Sequence, residues 1–309
     1  MRKIAFLFPG QGSQYVGMGK EFYEIYQEAK EIFQQANRIL GFNIKRLCLK
    51  GPEEELKKTI NTQPAILIVN WIMTEVLRKK GIKPTVVAGH SLGEYNAVLA
   101  SGALDFPSVL KLVCRRAQLM EEASSKVDGG MAAVIGLERE KIISICKDIE
   151  EIVEAVNFNS PSQIVISGEK KGIEEAAKQL IKEGAKRVIP LPVSGPFHTS
   201  LMKEATDKFS YELNKLNFSI PQCKIITNVF ADYASTPEEV RMALKQQMSH
   251  PVLWEDSMKK LILDGINLFI EVGPGNVLKN LLRRIDRKAN ISGVKTPSDI
   301  DKLEKLVKV

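Results

Sequence analysis

Residues 85–100 read Thr85-Val86-Val87-Ala88-Gly89-His90-Ser91-Leu92-Gly93-Glu94-Tyr95-Asn96-Ala97-Val98-Leu99-Ala100. A short β-type run meets a glycine, turns through three residues, and resumes after a second glycine in a stretch compatible with a helix. Gly89-His90-Ser91-Leu92-Gly93 is a G-x-S-x-G pentapeptide, and strand, turn and helix are the setting that a nucleophile elbow requires. A turn sharp enough to project Ser91 leaves no room for β-carbons against the neighbouring strand and helix, hence the two glycines. The hydroxyl stands at the top of the turn, where the Leu92 N–H and the helix N-terminus face a developing oxyanion. Five-residue patterns with three fixed positions also arise by chance, and only the context speaks against chance here.

Outward from this stretch, short buried runs alternate with longer amphipathic segments, the pattern of an α/β protein with a mainly parallel sheet. Ile4–Phe8, residues 85–88 and Leu268–Val272 are the clearest strands. Each leads into a glycine loop: Pro9-Gly10-Gln11-Gly12, the pentapeptide itself, and Gly273-Pro274-Gly275-Asn276. Ligands of open parallel sheets sit beyond the carboxyl ends of the strands, so the three loops are expected to line one cleft. Residues 131–191 read differently, as strand 131–135, helix 138–149, strand 152–158, strand 163–168, helix 173–183 and strand 187–191. That order is β-α-β-β-α-β, a ferredoxin-like unit. Asp128-Gly129-Gly130 marks its entry and Pro190-Leu191-Pro192 its exit. The expected organisation is a discontinuous large domain, 1–127 and 196–309, carrying an inserted small domain, 128–195; residues 298–308 read as a closing helix.

The composition excludes several classes. At 309 residues, 44% hydrophobic and 26% charged, the chain is globular and long enough for about two domains. Cys48, Cys114, Cys146 and Cys223 form no C-x-x-C pair and no ligand cluster with histidine, so neither a structural zinc site nor a redox motif is expected, and a reducing cytoplasm fits best. The start, Met1-Arg2-Lys3 before Ile4–Phe8, imitates a signal peptide, but Pro9-Gly10 cuts the apolar run short. No stretch reaches the ~18 to 20 apolar residues of a membrane span; the best, 65–73, contains Asn70. The net charge of +7 favours acidic partners, yet only Arg283-Arg284-Ile285-Asp286-Arg287-Lys288 is compactly basic. It reads equally as a solvated last helical turn, and without a recognition motif nucleic acid is not expected. Gly10-Gln11-Gly12-Ser13-Gln14-Tyr15 lacks the third glycine of a dinucleotide fingerprint, and Gly12 with Gly17 lacks the Lys-Ser/Thr of a P-loop.

Serine needs a base, and there are three histidines. His90, beside Ser91 on a tight turn, points elsewhere and packs under the elbow. His250, in Ser249-His250-Pro251, reads as an extended surface link. His198, in Ser194-Gly195-Pro196-Phe197-His198-Thr199, lies in a turn-rich loop downstream of the serine, and is the candidate base.

Pro9-Gly10-Gln11-Gly12-Ser13-Gln14, Gly89-His90-Ser91-Leu92-Gly93-Glu94-Tyr95, Asn159-Ser160-Pro161-Ser162-Gln163, Gly195-Pro196-Phe197-His198, Gln247-Met248-Ser249-His250-Pro251-Val252-Leu253-Trp254 and Glu271-Val272-Gly273-Pro274-Gly275 together resemble the malonyl-CoA:acyl carrier protein transacylases of bacterial fatty acid synthesis. The resemblance implies a hydrolase-like core with an inserted ferredoxin-like domain, and an acyltransferase that moves malonyl from coenzyme A to the phosphopantetheine thiol of acyl carrier protein through a malonyl-serine. It implies Ser91 as nucleophile, His198 as base, the Gln11 and Leu92 backbone N–H groups as oxyanion hole, and Arg116 as malonate-binding arginine, with Arg115 its neighbouring competitor. Arg116, Ala117 and Met120 satisfy the family's spacing, although glycine is frequent at Ala117. A carbonyl near Gln247 would orient the imidazole in place of an acid. Leu92 is similar to the malonyl rather than the methylmalonyl type. Without the resemblance, Arg116 reads as a surface helix cation and Gln247 as a routine helix-end residue. No cofactor is implied beyond the coenzyme A thioester and the carrier's phosphopantetheine; the partners are malonyl-CoA and acyl carrier protein, which is acidic and would be drawn by the positive charge, with no membrane. The elbow alone equally allows a serine esterase or thioesterase, and the resemblance also allows an acyl loader of a polyketide pathway; a carrier-binding module with a vestigial site is the reading from another class.

Overall fold

The computed structural model describes residues 2–193 and 195–307. Met1, at the signal-like start, Ser194, in the loop expected to carry His198, and Lys308 and Val309, at the end of the expected closing helix, lie outside the described residues. The described strands are β1 (Ile4–Phe8), β2 (Val86–Gly89), β3 (Gly129–Ile135), β4 (Val153–Ser160), β5 (Gln163–Glu169), β6 (Arg187–Pro190), β7 (Lys224–Ile226), β8 (Tyr233–Ala234), β9 (Leu268–Val272) and β10 (Ile291–Val294).

The larger sheet has the order β10-β9-β1-β2-β7-β8. Its first five strands are parallel and β8 runs antiparallel at the edge. From β1 the chain winds outward through β2 and β7 on one side and through β9 and β10 on the other, so the winding reverses at β1, where a ligand crevice is expected. The unbroken apolar run of β1 follows from burial on both faces: Ile4, Phe6 and Phe8 enter the core shared with the helices Thr59–Lys79 and Phe106–Ser124, while Ala5 and Leu7 enter a second core with Trp254, Met258 and Leu282. Asn70, the polar interruption of the apolar stretch 65–73, is buried and donates to the Pro9 carbonyl at 3.2 Å and to Asn96 Oδ1 at 3.0 Å. It thereby pins the loop after β1 to the helix Gly93–Ala100 after β2. Among the described residues no helix is long and apolar enough to cross a membrane.

The smaller sheet, of order β4-β5-β3-β6, is antiparallel throughout. The helices Arg139–Lys147 and Lys170–Lys182 cover one face, around Val134, Ile142, Ile166 and Leu180. Met131, Ala133, Val156 and Val165 on the other face join the main core. β4 is stitched to the large sheet's side by the extended segment before Trp254, with Phe158 N–H to the Val252 carbonyl at 3.0 Å and Val252 N–H to the Val156 carbonyl at 2.7 Å. The sequence reading did not pick out β7, β8 and β10, three strands of two to four residues at or near the sheet edges, where no long apolar run is needed.

Candidate active site

The elbow forms where β2 ends. A β-carbon on Gly89 would overlap the backbone of Gly93, and one on Gly93 would overlap the Phe8 carbonyl, so strand, turn and helix approach more closely than any other residue permits. The turn forces Ser91 to φ 50°; only two other described non-glycine residues have a positive φ, His198 at 66° and Ala231 at 49°. Two left-handed residues, each costing about 1 kcal/mol or more, face each other across the cleft, and such strain persists only where the surroundings over-determine it. Here the surroundings are hydrogen bonds: Ser91 N–H donates to Asn228 Oδ1 at 2.7 Å, Asn228 Nδ2 donates to the Gly89 carbonyl at 2.6 Å, and His198 N–H donates to the Met248 carbonyl at 3.0 Å.

Ser91 Oγ lies 2.8 Å from His198 Nε2, and His198 Nδ1 lies 2.8 Å from the Gln247 carbonyl oxygen. A carbonyl can only accept, so Nδ1 carries the proton and Nε2 presents a lone pair to the serine hydroxyl. His198 is 3% exposed. Burial first, then the charge of Arg116, pushes its pKa down to about 3 against the opposing pull of the Gln247 carbonyl. The imidazole is therefore neutral and able to take a proton at any ordinary pH.

Arg116 is 1% exposed, unlike Arg115 on the same helix, which pairs at the surface with Glu122. Its Nη2 donates to Ser91 Oγ at 3.1 Å and to Gln247 Oε1 at 3.0 Å, and its Nη1 donates to Gln63 Oε1 at 2.8 Å; Tyr95 lies under the guanidinium at 5.2 Å. No carboxylate forms an ion pair with Arg116 among the described residues. A buried guanidinium solvated only by neutral oxygens is held several kcal/mol above its paired state, and it offers a planar fork to an incoming anion.

The loop after β1 completes the setting. Gly10 packs against the elbow so closely that its β-carbon would meet the His90 carbonyl, with Leu92 N 3.6 Å away. The backbone N–H groups of Gln11 and Leu92, on these adjoining turns, make no backbone hydrogen bond among the described residues and are free for an oxyanion. Beside them a cleft of about 370 Å³ runs between the sheets, lined by Gly10, Gln11, His90, Asn157, Asn159 and Val277 among others. The loop after β9 reaches it only through the helix Val277–Ile285 that it opens, because Gly273 is packed against Pro9 and Asn70. His90 turns away from Ser91 to Asn159 Oδ1, 2.7 Å distant, and packs on Trp254; His250 is exposed and extended, bonded through Nδ1 to the Gln246 carbonyl.

The structure thus brings Ser91, His198, Arg116 and Gln247 into one hydrogen-bonded cluster with the Gln11 and Leu92 amides beside it. Sequence reasoning passed over three members. Gln63 is a polar residue just before the apolar run 64–69 of a buried helix, and Glu94 a carboxylate in a helix whose residues 93–99 are all buried; both patterns are readable signals. Asn228 gave none, since it lies on an irregular turn after β7.

Residues 5–298 match the family model described as an acyl transferase domain. The chain is 42% identical over 304 residues to the malonyl CoA-acyl carrier protein transacylase of Bacillus subtilis (strain 168), covering 97% of this chain and 96% of that protein. It is 41% identical over 301 residues to the protein of the same name from Escherichia coli (strain K12), covering 96% and 97%. Among solved structures, an acyl carrier protein S-malonyltransferase from Vibrio cholerae superposes with a TM-score of 0.94 at 41% identity, covering 97% of this chain and 99% of that one. A malonyl-transacylase in complex with its type II PKS acyl-carrier protein superposes at 0.96 with 38% identity, covering 98% and 99%.

Proposed function

The chain belongs to the acyl transferase domain family, and from that premise we propose that it carries malonyl from coenzyme A to the phosphopantetheine thiol of acyl carrier protein, with Ser91 as the acylated residue. The observation that carries this reading is the buried, anion-free guanidinium of Arg116 donating to the same oxygen that His198 can deprotonate.

Malonyl-CoA enters the cleft lined by Gln11, His90, Asn157 and Asn159. The malonate carboxylate displaces the neutral amide oxygens from the Arg116 fork, and a charged bidentate acceptor wins over them. The Ser91 O–H proton passes to His198 Nε2 as Oγ bonds the thioester carbon, and the Gln11 and Leu92 N–H groups hold the oxyanion. Collapse breaks the C–S bond, and His198 returns the proton to the departing thiolate. The carrier's thiol then gives its proton to His198, its sulfur bonds the acyl carbon, the ester C–O bond breaks, and the proton returns to Ser91 Oγ. One thioester is exchanged for another, so the cycle is near thermoneutral and needs no group beyond the two thiols and the protein. The Gln247 carbonyl acts as the third member by holding the Nδ1 proton. The four cysteines, all unpaired, fit a cytoplasmic setting.

Malonyl-CoA with phosphopantetheinylated carrier is expected to give malonyl carrier, and without carrier a stable acyl-enzyme with little free malonate, measured by mass spectrometry and product chromatography. Rapid malonate release without acceptor would instead assign a thioesterase. The likeness to the type II PKS transacylase supports a second reading, loading of a polyketide carrier rather than supply of fatty acid chain elongation. Relative kcat/KM with a fatty acid and a polyketide carrier decides between them.

The depressed pKa of His198 has a kinetic consequence. A base acts in its neutral form, present above its pKa, so lowering the pH from 7.5 to 5.5 should leave kcat/KM for Ser91 loading by acetyl-CoA, which has no carboxylate for the clamp, within about twofold, whereas an ordinary imidazole of pKa ~6.5 would lose about tenfold. Glu94, bonded to Gln247 and pushed up to about 7 by burial, loses its negative charge over the same range, so loading by malonyl-CoA should fall with the hold on Gln247 while loading by acetyl-CoA does not. An acid limb near pH 6.5 in stopped-flow loading by acetyl-CoA would contradict this account of His198.

A further inference from the structure

Gln247 is bonded through both ends of its side chain, and only one orientation of that carboxamide satisfies its neighbours. Nε2 donates to Glu94 Oε2 at 2.6 Å and to the Ser91 carbonyl at 2.8 Å, while Oε1 accepts from Arg116 Nη2 at 3.0 Å. Flipping the amide would set its oxygen against two acceptors and its N–H groups against a guanidinium. The other carboxylate oxygen of Glu94 accepts from Asn228 N–H at 3.2 Å, and Asn228 holds the Ser91 turn. Glu94 is 1% exposed, in the first turn of the helix that leaves the elbow. A carboxylate there carries a desolvation cost that an apolar residue of similar size would avoid.

We propose that Glu94 is a positioning residue that sets the malonyl preference of the site by fixing the Gln247 carboxamide with its oxygen toward Arg116. This rests on the reading of Arg116 as the malonate clamp. Glu94 supplies negative charge to the buried guanidinium through a neutral amide instead of by direct contact. A carboxylate bonded directly to Arg116 would occupy the fork and compete with the substrate's own carboxylate. An interposed amide stabilises the resting cation, holds its plane, and yields when a charged acceptor arrives. The same residue, through Asn228 and the Ser91 carbonyl, ties the clamp to the nucleophile, so that the two ends of a three-carbon acyl group meet groups held in a fixed relation.

The test is the ratio of single-turnover Ser91 acylation by malonyl-CoA to that by acetyl-CoA. Glu94→Gln keeps shape and volume, but its amide can accept from only one of the two donors it faces, which frees Gln247 to turn. The malonyl preference should fall about tenfold or more, the size of one hydrogen bond to a charged group. Gln247→Met, which keeps the backbone carbonyl on His198, should lower the ratio similarly, and the double variant should be no worse than Gln247→Met alone. Proportionate loss for both thioesters, or additive losses in the double variant, would show that Glu94 only supports the fold and would overturn the proposal. If Glu94→Gln does not fold, Glu94→Asp, charged but one methylene short, is measured instead; its ratio should fall about threefold, and an unchanged ratio overturns the proposal. Arg116→Ala run alongside separates the two ideas: if it leaves the ratio intact the clamp reading has failed, whereas if it abolishes the preference and Glu94→Gln does not, only the role of Glu94 has.

Discussion

Replacing Ser91 by alanine is expected to remove acyl-enzyme formation altogether and to lower malonyl transfer by about 10⁴-fold or more, the scale on which removal of an activated serine acts in hydrolytic triads. The argument is one of position. Ser91 Oγ is the atom on which the His198 lone pair, at 2.8 Å, and the Arg116 guanidinium, at 3.1 Å, converge. Intact-mass measurement of wild type after mixing with malonyl-CoA should show one added malonyl group, and digestion should place it on the peptide containing Ser91. Label on any other residue, or transfer that survives in Ser91→Ala, would remove the serine from the mechanism. The variant should fold normally, because the turn is fixed by the bond from Ser91 N–H to Asn228 Oδ1 and by the glycines beside it rather than by the hydroxyl.

Arg116→Ala is expected to reduce the preference for malonyl-CoA over acetyl-CoA by about 10²-fold, while acetyl loading itself falls much less. Truncating one partner of a buried charged hydrogen-bonded pair costs ~2 to 5 kcal/mol, and acetyl has no carboxylate to lose that partner. Acetyl loading is not immune, since Arg116 also polarises Ser91 Oγ, which is why the ratio and not either rate is the diagnostic quantity. Arg116→Lys should recover only part of the preference, because an ammonium keeps the charge but not the planar fork. Equal loss with both substrates would reject the clamp. Arg115→Ala, at an exposed position paired with Glu122, should change neither rate appreciably.

Much of this was legible before any coordinates. The run of β1 and the short apolar runs between turn residues in 131–191 identified the strands because burial on both faces leaves nearly continuous apolar stretches. The element order of the smaller sheet followed from its turns, with boundaries displaced by at most three residues, as fraying ends allow. The short edge strands left no such stretch. His198 was reached by elimination among three histidines and by its loop, whereas Gln247, Arg116 and Gln11 were reached only through resemblance. Nothing in the residues around Arg116 distinguishes it from Arg115: consecutive helical residues point about 100° apart, and which of the two faces is buried depends on what packs there. Glu94 could have been noticed as a charge within an apolar helix, but its partner Gln247 lies 153 positions away.

By itself the sequence determined what is local: a strand that must stop at Gly89, a turn that only glycines on either side allow, a hydroxyl at its apex, and the order of strands and helices that builds the smaller sheet. Those outcomes depend on φ/ψ preferences and on neighbours within a few residues. The tertiary structure decided the pairing of Ser91 with an imidazole 107 positions on, the burial of Arg116 without a counter-ion, and the orientation of Gln247 between guanidinium and carboxylate. Each of these requires separate elements to dock to within hydrogen-bonding distance, and that fit is a property of the packed cores, which no single segment carries.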